Sequence, residues 1–80
     1  MNLTAIKTLT AYIIKETMGK KRLANAEKIL ASIDDRQNGI LIYLSHGATL
    51  GESTEIQKRI KAAGLNIPEQ MGNAVIYVTA

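Results

Sequence analysis

Apolar and polar positions repeat along the chain with two different periods, and each period predicts a type of element. Over residues 3–18, apolar side chains recur every three to four residues and fill a broad arc of a helix. Residues 20–33 show the same period with a narrower stripe. Residues 53–64 form a third segment in which Ile56 and Ile60 share one face. The pattern therefore predicts three helices.

Two short apolar runs, "ILIYLS" at residues 40–45 and "AVIYVT" at residues 74–79, have the β-branched and aromatic character of strands. The first run is almost continuous, which is typical of a strand covered on both faces. A strand, a helix and a strand within about forty residues indicate a βαβ unit, whose strands are parallel and whose crossover is right-handed. An antiparallel arrangement through a longer connection is the alternative.

The predicted fold class is α+β, in a single domain of residues 1–80. Two N-terminal helices (residues 1–36) precede a strand-helix-strand part (residues 39–80). Two strands are too few for a stable sheet, and no lysine or proline lies inside "AVIYVT" to block pairing at its edge. We therefore predict a small two-stranded sheet in each chain, extended by a second copy in a homodimer.

The size of the chain also favours self-association. Eighty residues bury a small core, and the sequence has no cysteine for a disulfide or a thiolate metal site. The apolar arc of the first helix is wider than one neighbour in a small domain usually covers. It predicts an interface with a second copy or with another protein, formed by Leu3, Ile6, Leu9, Ile13 and Ile14.

Charge adds a second hypothesis for function. The net charge is +3, and residues 1–36 carry all of the excess. Basic groups that would contact a phosphate backbone are Lys20, Lys21, Arg22, Lys28, Lys58, Arg59 and Lys61. No apolar segment approaches the ~20 residues of a membrane span, and the N-terminus lacks the features of a secretory signal. We expect a cytoplasmic protein without a membrane partner.

The loop "SHGATLGEST" between the first predicted strand and the third helix supports a third hypothesis. In an open α/β sheet such a loop is where ligands bind, and a helix N-terminus favours an anion or a nucleotide. The candidate ligand residues are Ser45, His46, Gly47, Thr49, Gly51, Ser53 and Thr54. The spacing matches no phosphate-binding motif, and Glu52 and Glu55 would repel an anion. The simpler interpretation is that Ser53, or Thr49 with Glu52, caps the helix.

No constellation of catalytic residues stands out. Ser45 and His46 are adjacent at the end of a predicted strand, where neighbouring side chains point to opposite faces, so we do not expect them to form a nucleophile and base. Asp34 and Asp35 are typical of a helix exit. We predict no enzyme activity, no cofactor and no metal. The leading hypothesis is a small interaction module, a regulator or inhibitor that binds another macromolecule as a homodimer. Nucleic-acid binding and anion binding are the alternatives.

Overall fold

The computed structural model describes residues 1–80 and begins with the predicted helix, α1 (Leu3–Met18). The side chain of Asn2 caps it by accepting the backbone N–H of Ala5 at 2.8 Å. Gly19 ends it with φ +79°, a backbone conformation that side chains other than glycine adopt at a cost. Both ends of α1 therefore lie where the sequence pattern predicted.

The second predicted helix is shorter in the structure. Residues Lys20–Arg22 form a 3₁₀ turn, and α2 (Leu23–Ala31) follows it directly. The segment "DDRQNG" then closes a β-hairpin made of β1 (Asp34–Asp35) and β2 (Gly39–Tyr43). Asp34 and Asp35 were predicted as a helix exit, and the strand that they form was not predicted.

The third helix, α3 (Leu50–Ala62), is followed by a second hairpin of β3 (Asn66–Met71) and β4 (Val75–Thr79). The strand β3 is not among the strands predicted from sequence, because its mixed sequence "NIPEQM" shows no alternation. The single chain thus contributes four strands. The prediction of a two-stranded sheet is wrong because each predicted strand has a hairpin partner in the same chain.

All neighbouring strands are antiparallel, in the order β1-β2-β4-β3. The expectation of a parallel βαβ unit is corrected by β3, since this extra strand reverses the chain once more between α3 and β4. The segment "AVIYVT" lies inside the sheet as β4, paired on both sides, so it presents no free edge.

The helices cover one face of the sheet. Residues at alternate positions of β2 and β4 are fully buried beneath them, and α1 packs against both α2 and α3. The core is aliphatic, and isoleucine predominates in it. None of the three helices has the length and hydrophobicity that crossing a bilayer requires.

Candidate functional site

The glycine loop is a helix cap whose polar groups bind each other. The Thr49 hydroxyl accepts the backbone N–H of Glu52 at 3.1 Å, and the Glu52 carboxylate accepts the backbone N–H of Thr49 at 2.9 Å. This capping box is one of the two caps that the sequence predicted, and it places a carboxylate at the N-terminus of α3. The positive end of the helix dipole therefore already has a negative partner. The other predicted cap, Ser53, is wrong because α3 begins at Leu50, so Ser53 lies inside the helix.

Arg22 fixes this carboxylate. Its Nε lies 3.0 Å from Oε2 of Glu52, and its Nη2 lies 2.8 Å from Oε1 and 3.0 Å from the carbonyl oxygen of Gly47. The hydrogen bonds from Arg22 are the main reason why the pKa of Glu52 falls to about 2, and the same pairing raises the pKa of Arg22. Gly47 also lies so close to α2 that a Cβ would overlap the carbonyl oxygen of Asn25.

Ser53 and Gln57 form a second polar cluster beneath the loop. The Ser53 hydroxyl donates to the carbonyl oxygen of Asn73, and the Gln57 amide donates to Asn73 Oδ1 at 3.1 Å. Both side chains are buried. They hold the turn between β3 and β4 against α3, so Ser53 has a structural partner rather than a free hydroxyl.

The remaining loop residues do not converge on a ligand site. Ser45 and His46 are exposed in a 3₁₀ turn, and the His46 ring stacks on Tyr43 with 5.3 Å between centroids. Gly51 is exposed, and the exposed Thr54 donates its hydroxyl to the carbonyl of Leu50. No group of three or more His, Cys, Asp or Glu residues has metal-binding geometry.

The predicted cationic residues lie on the helical side of the molecule. Two of them are paired with a carboxylate, and the other five are not. Arg22 is paired with Glu52, and Arg59 with Glu55 at 3.0 Å. The others are exposed and make no ion pair: Lys20, Lys21, Lys28, Lys58 and Lys61. Nine of the ten cationic residues and four of the seven carboxylates belong to helical segments. The helices therefore carry a net +5, and the strands with their turns carry −2.

The apolar arc of α1 lies mostly inside the chain's own core. Ile6, Ile13 and Ile14 are buried, while Leu3 and Leu9 are partly buried against the same cluster. Its width is explained by the two helices and the sheet that surround α1. Little of this apolar arc is therefore left exposed to form a surface for a partner.

The opposite face of the sheet carries a contiguous group of apolar side chains that the helices do not cover. We call it the open face, and it consists of Leu41, Tyr43, Met71, Val75 and Tyr77. The strand register places Leu41 beside Tyr77, Tyr43 beside Val75, and Val75 beside Met71, so the five side chains are contiguous. Four are half-buried, and Met71 is 75% exposed. A concavity of about 290 Å³ lies among them.

Charged groups border the open face at both sheet edges. Glu69 lies beside Tyr77 on β3, exposed and without an ion pair. On the β1 side, Asp34 lies beside Leu41 and is paired with Arg36 at 3.0 Å. A second concavity contains both Arg36 and Glu69 among its lining residues, together with Leu41 and Tyr77. The rim of the open face thus has both signs of charge.

Sequence reasoning missed the open face because the almost continuous apolar run of β2 predicts a strand covered on both faces. A signal was present in the alternation: the tyrosines of "GILIY" and "VIYVT" occupy the positions that face away from the helices.

Comparisons with protein families, with curated proteins and with solved structures find no match to this chain.

Proposed function

We propose that the protein is a small non-enzymatic interaction module, a regulator or inhibitor that binds another macromolecule through the open face of its sheet. The observation that carries this proposal is the contiguous set of five apolar side chains on strands whose other face is already packed. Soluble monomers rarely leave a large contiguous apolar patch on their surface, and such patches mark contact sites.

The composition of the open face supports a macromolecular partner. Tyrosine and methionine are enriched in the cores of protein interfaces, because they combine a large contact area with adaptable geometry. Tyr43 and Tyr77 sit on neighbouring strands, and Met71 is the most exposed large apolar residue of the chain. The charged residues at the sheet edges give the surface a polar rim around an apolar centre, which is the usual anatomy of an interface.

The sheet edges favour contact through the face rather than through strand addition. At one edge, β1 has only two residues. At the other, β3 contains Pro68, and its register with β4 shifts between Asn66 and Glu69. Short strands, proline and bulges are the features that prevent an edge from pairing with another chain. We therefore infer that a partner contacts the open face, and not that a second copy extends the sheet at its edge.

A photo-crosslinking amino acid at position 41 tests the proposal in cells. Leu50, which is 69% exposed on α3, provides a matched control position on the helical side. We expect a covalent adduct with a second macromolecule from position 41, lost when Tyr77→Lys is added, and none from position 50. Equal adducts from both positions, or an adduct from position 41 that survives Tyr77→Lys, would contradict the proposal.

Nucleic-acid binding by the helical side is a second candidate, favoured by its net charge of +5 and its unpaired lysines. It predicts an affinity for nucleic acid that falls steeply with salt concentration and falls further in Lys20→Glu/Lys21→Glu. Arg36→Glu, on the sheet side, is the control that should bind as before. Binding that does not depend on salt would exclude this function. An anionic ligand at residues 45–54 receives no support from the geometry, because Glu52 occupies the helix N-terminus.

A further inference from the structure

We infer that Asn38 is a site of spontaneous chemical modification, at which the side-chain amide is converted to a carboxylate in the folded protein. Asn38 is the only asparagine of the chain that glycine follows in the sequence. It is exposed and lies in the turn between β1 and β2. The inference goes beyond the proposed function, because the reaction needs no partner other than water.

The reaction begins with an attack by the backbone nitrogen of the next residue. The Gly39 nitrogen loses its proton to solvent base and forms a bond to Cγ of Asn38. The bond from Cγ to Nδ2 then breaks, and Nδ2 takes a proton from water and leaves as ammonia. Water opens the resulting cyclic imide at Cγ, which gives aspartate, or at the main-chain carbonyl carbon of residue 38, which gives isoaspartate. In sum, the amide and water yield a carboxylic acid and ammonia, a reaction that contributes to the thermal lability of asparagine.

The structure leaves both reacting groups without a hydrogen bond. The carbonyl oxygen of Gly39 accepts the backbone N–H of Arg36 at 2.8 Å, but no bond returns from the Gly39 N–H to Arg36. In an antiparallel ladder the N–H and the carbonyl oxygen of a residue face the same neighbouring strand, so this N–H faces β1 rather than β4. The Asn38 side chain makes no hydrogen bond within the chain. Neither group therefore has to break a hydrogen bond before it reacts.

The turn between β3 and β4 shows the opposite arrangement around another exposed asparagine, Asn73. The nitrogen that would attack it belongs to Ala74, whose N–H donates to the carbonyl oxygen of Met71 at 3.1 Å. The Asn73 side chain is held as well, since its Oδ1 accepts the Gln57 amide at 3.1 Å. Attack at Asn73 therefore requires that the turn open first, and local opening costs free energy.

The fold requires the glycine of this sequence but not the asparagine. A Cβ at position 39 would overlap the carbonyl oxygen of Val78 on β4, so a residue with a side chain does not fit there. No residue other than glycine has a positive φ, so the turn does not depend on the tolerance of asparagine for that conformation. Packing therefore keeps an unhindered attacking residue at position 39, while a substitution at position 38 preserves the turn.

The modification changes the charge beside the open face. Asn38 lines the concavity that also contains Arg36, Leu41, Glu69 and Tyr77. Conversion adds a negative charge there, and isoaspartate also adds a main-chain atom to the short loop between Arg36 and Gly39. The modified protein thus presents a different rim to a partner. This consequence for binding rests on the proposed function, whereas the modification itself does not.

Incubation of the purified, folded protein at physiological temperature and mildly alkaline pH tests the inference, with peptide mass mapping to follow each asparagine. The matched variant is Ala74→Gly, which places a glycine after Asn73 as well and so removes the difference in sequence between the two sites. We expect Asn38 of the folded variant to convert at least about tenfold faster than Asn73, because reaction at Asn73 needs the turn to open. In urea, where neither turn is formed, the two asparagines should convert at similar rates.

Asn38→Ser is the control that should abolish the conversion at this turn, and circular dichroism should show that both variants are folded. An Asn38 that stays intact in the folded protein but converts in urea would overturn the inference. Equal conversion of Asn38 and Asn73 in folded Ala74→Gly would also overturn it, because the hydrogen bonds of the turns would then not decide the reactivity. The absence of an adduct from position 41 would contradict the proposed function and leave this result unchanged.

Discussion

The two faces of the same sheet differ in how completely the chain covers them. On the helical side, Ile42 and Ile76 are fully buried, whereas their sequence neighbours Leu41 and Tyr77 on the open face are half-buried. Both sets are apolar and lie on the same two strands. The difference comes from what opposes them, since three helices pack on one face, whereas on the other the His46 ring stacks on Tyr43 and a concavity lies among the side chains.

This comparison separates two roles for apolar residues in a small protein. The residues beneath the helices contribute to the stability of the isolated chain, because folding removes them from water. Those on the open face contribute less to folding, because part of their apolar area stays exposed to solvent. Burial, rather than residue type, therefore indicates which substitutions should change stability and which should change binding.

The largest expected effect is the loss of stability in Ile42→Ala. Removing a fully buried isoleucine side chain leaves a cavity in the core and should lower the free energy of unfolding by about 2–4 kcal/mol. Leu41→Ala, one residue away on the open face, should lower that of the monomer by about 1 kcal/mol or less. Urea denaturation at low protein concentration measures both. Similar losses for the two variants would remove the distinction between the faces.

The sequence was sufficient to predict the elements whose signals are local. The helix from Leu3 to Met18 follows from the period of its apolar residues. The capping box at Thr49 and Glu52 is one of the two caps that capping chemistry indicates for α3. An α+β fold followed from the same patterns. These features depend on residues at most a few positions apart, so a single sequence contains the information for them.

The features that depend on distant contacts could not be predicted in this way. The strand β3 has no apolar alternation, and it forms because its backbone pairs with β4. The bond between Arg22 and Glu52 joins residues thirty positions apart, and neither residue is distinctive by itself. Alternation along β2 and β4 indicates that Tyr43 and Tyr77 face away from the helices, but only the strand register places Met71 beside Val75 on that face.

A second, smaller effect on the free energy of unfolding is expected from substituting charged groups on the two sides of the molecule. Glu52 has a folded pKa of about 2 against an ordinary value of 4.5, so its pairing with Arg22 stabilises the fold above pH 4.5. This contribution is lost as the pH falls from 4.5 toward 2. We expect about 1–2 kcal/mol at neutral pH after allowance for the partial exposure of Arg22.

Glu52→Gln should therefore lower stability at pH 7 and make the protein less sensitive to acid between pH 4.5 and 2, as followed by chemical denaturation at several pH values. Glu69→Gln is the matched control, because Glu69 is exposed and has no ion pair in its own chain. At low protein concentration it should change stability by less than about 0.5 kcal/mol. An equal effect of the two substitutions would contradict the assignment of Glu52 as a structural carboxylate.

The smallest expected effect tests how closely the helical side is packed. Thr10 of α1 is fully buried, and its hydroxyl has no hydrogen-bond partner. An unsatisfied buried hydroxyl costs free energy, and valine has nearly the same shape without it. Thr10→Val should therefore raise the free energy of unfolding by about 1 kcal/mol, while Thr79→Val at a half-exposed position of β4 should leave it unchanged. Thermal and urea unfolding of both variants measure the difference. If Thr10→Val were destabilising, the Thr10 hydroxyl would have a hydrogen-bond partner in solution. The helical side would then be less tightly packed than its buried residues indicate, and the contrast with the open face would be smaller.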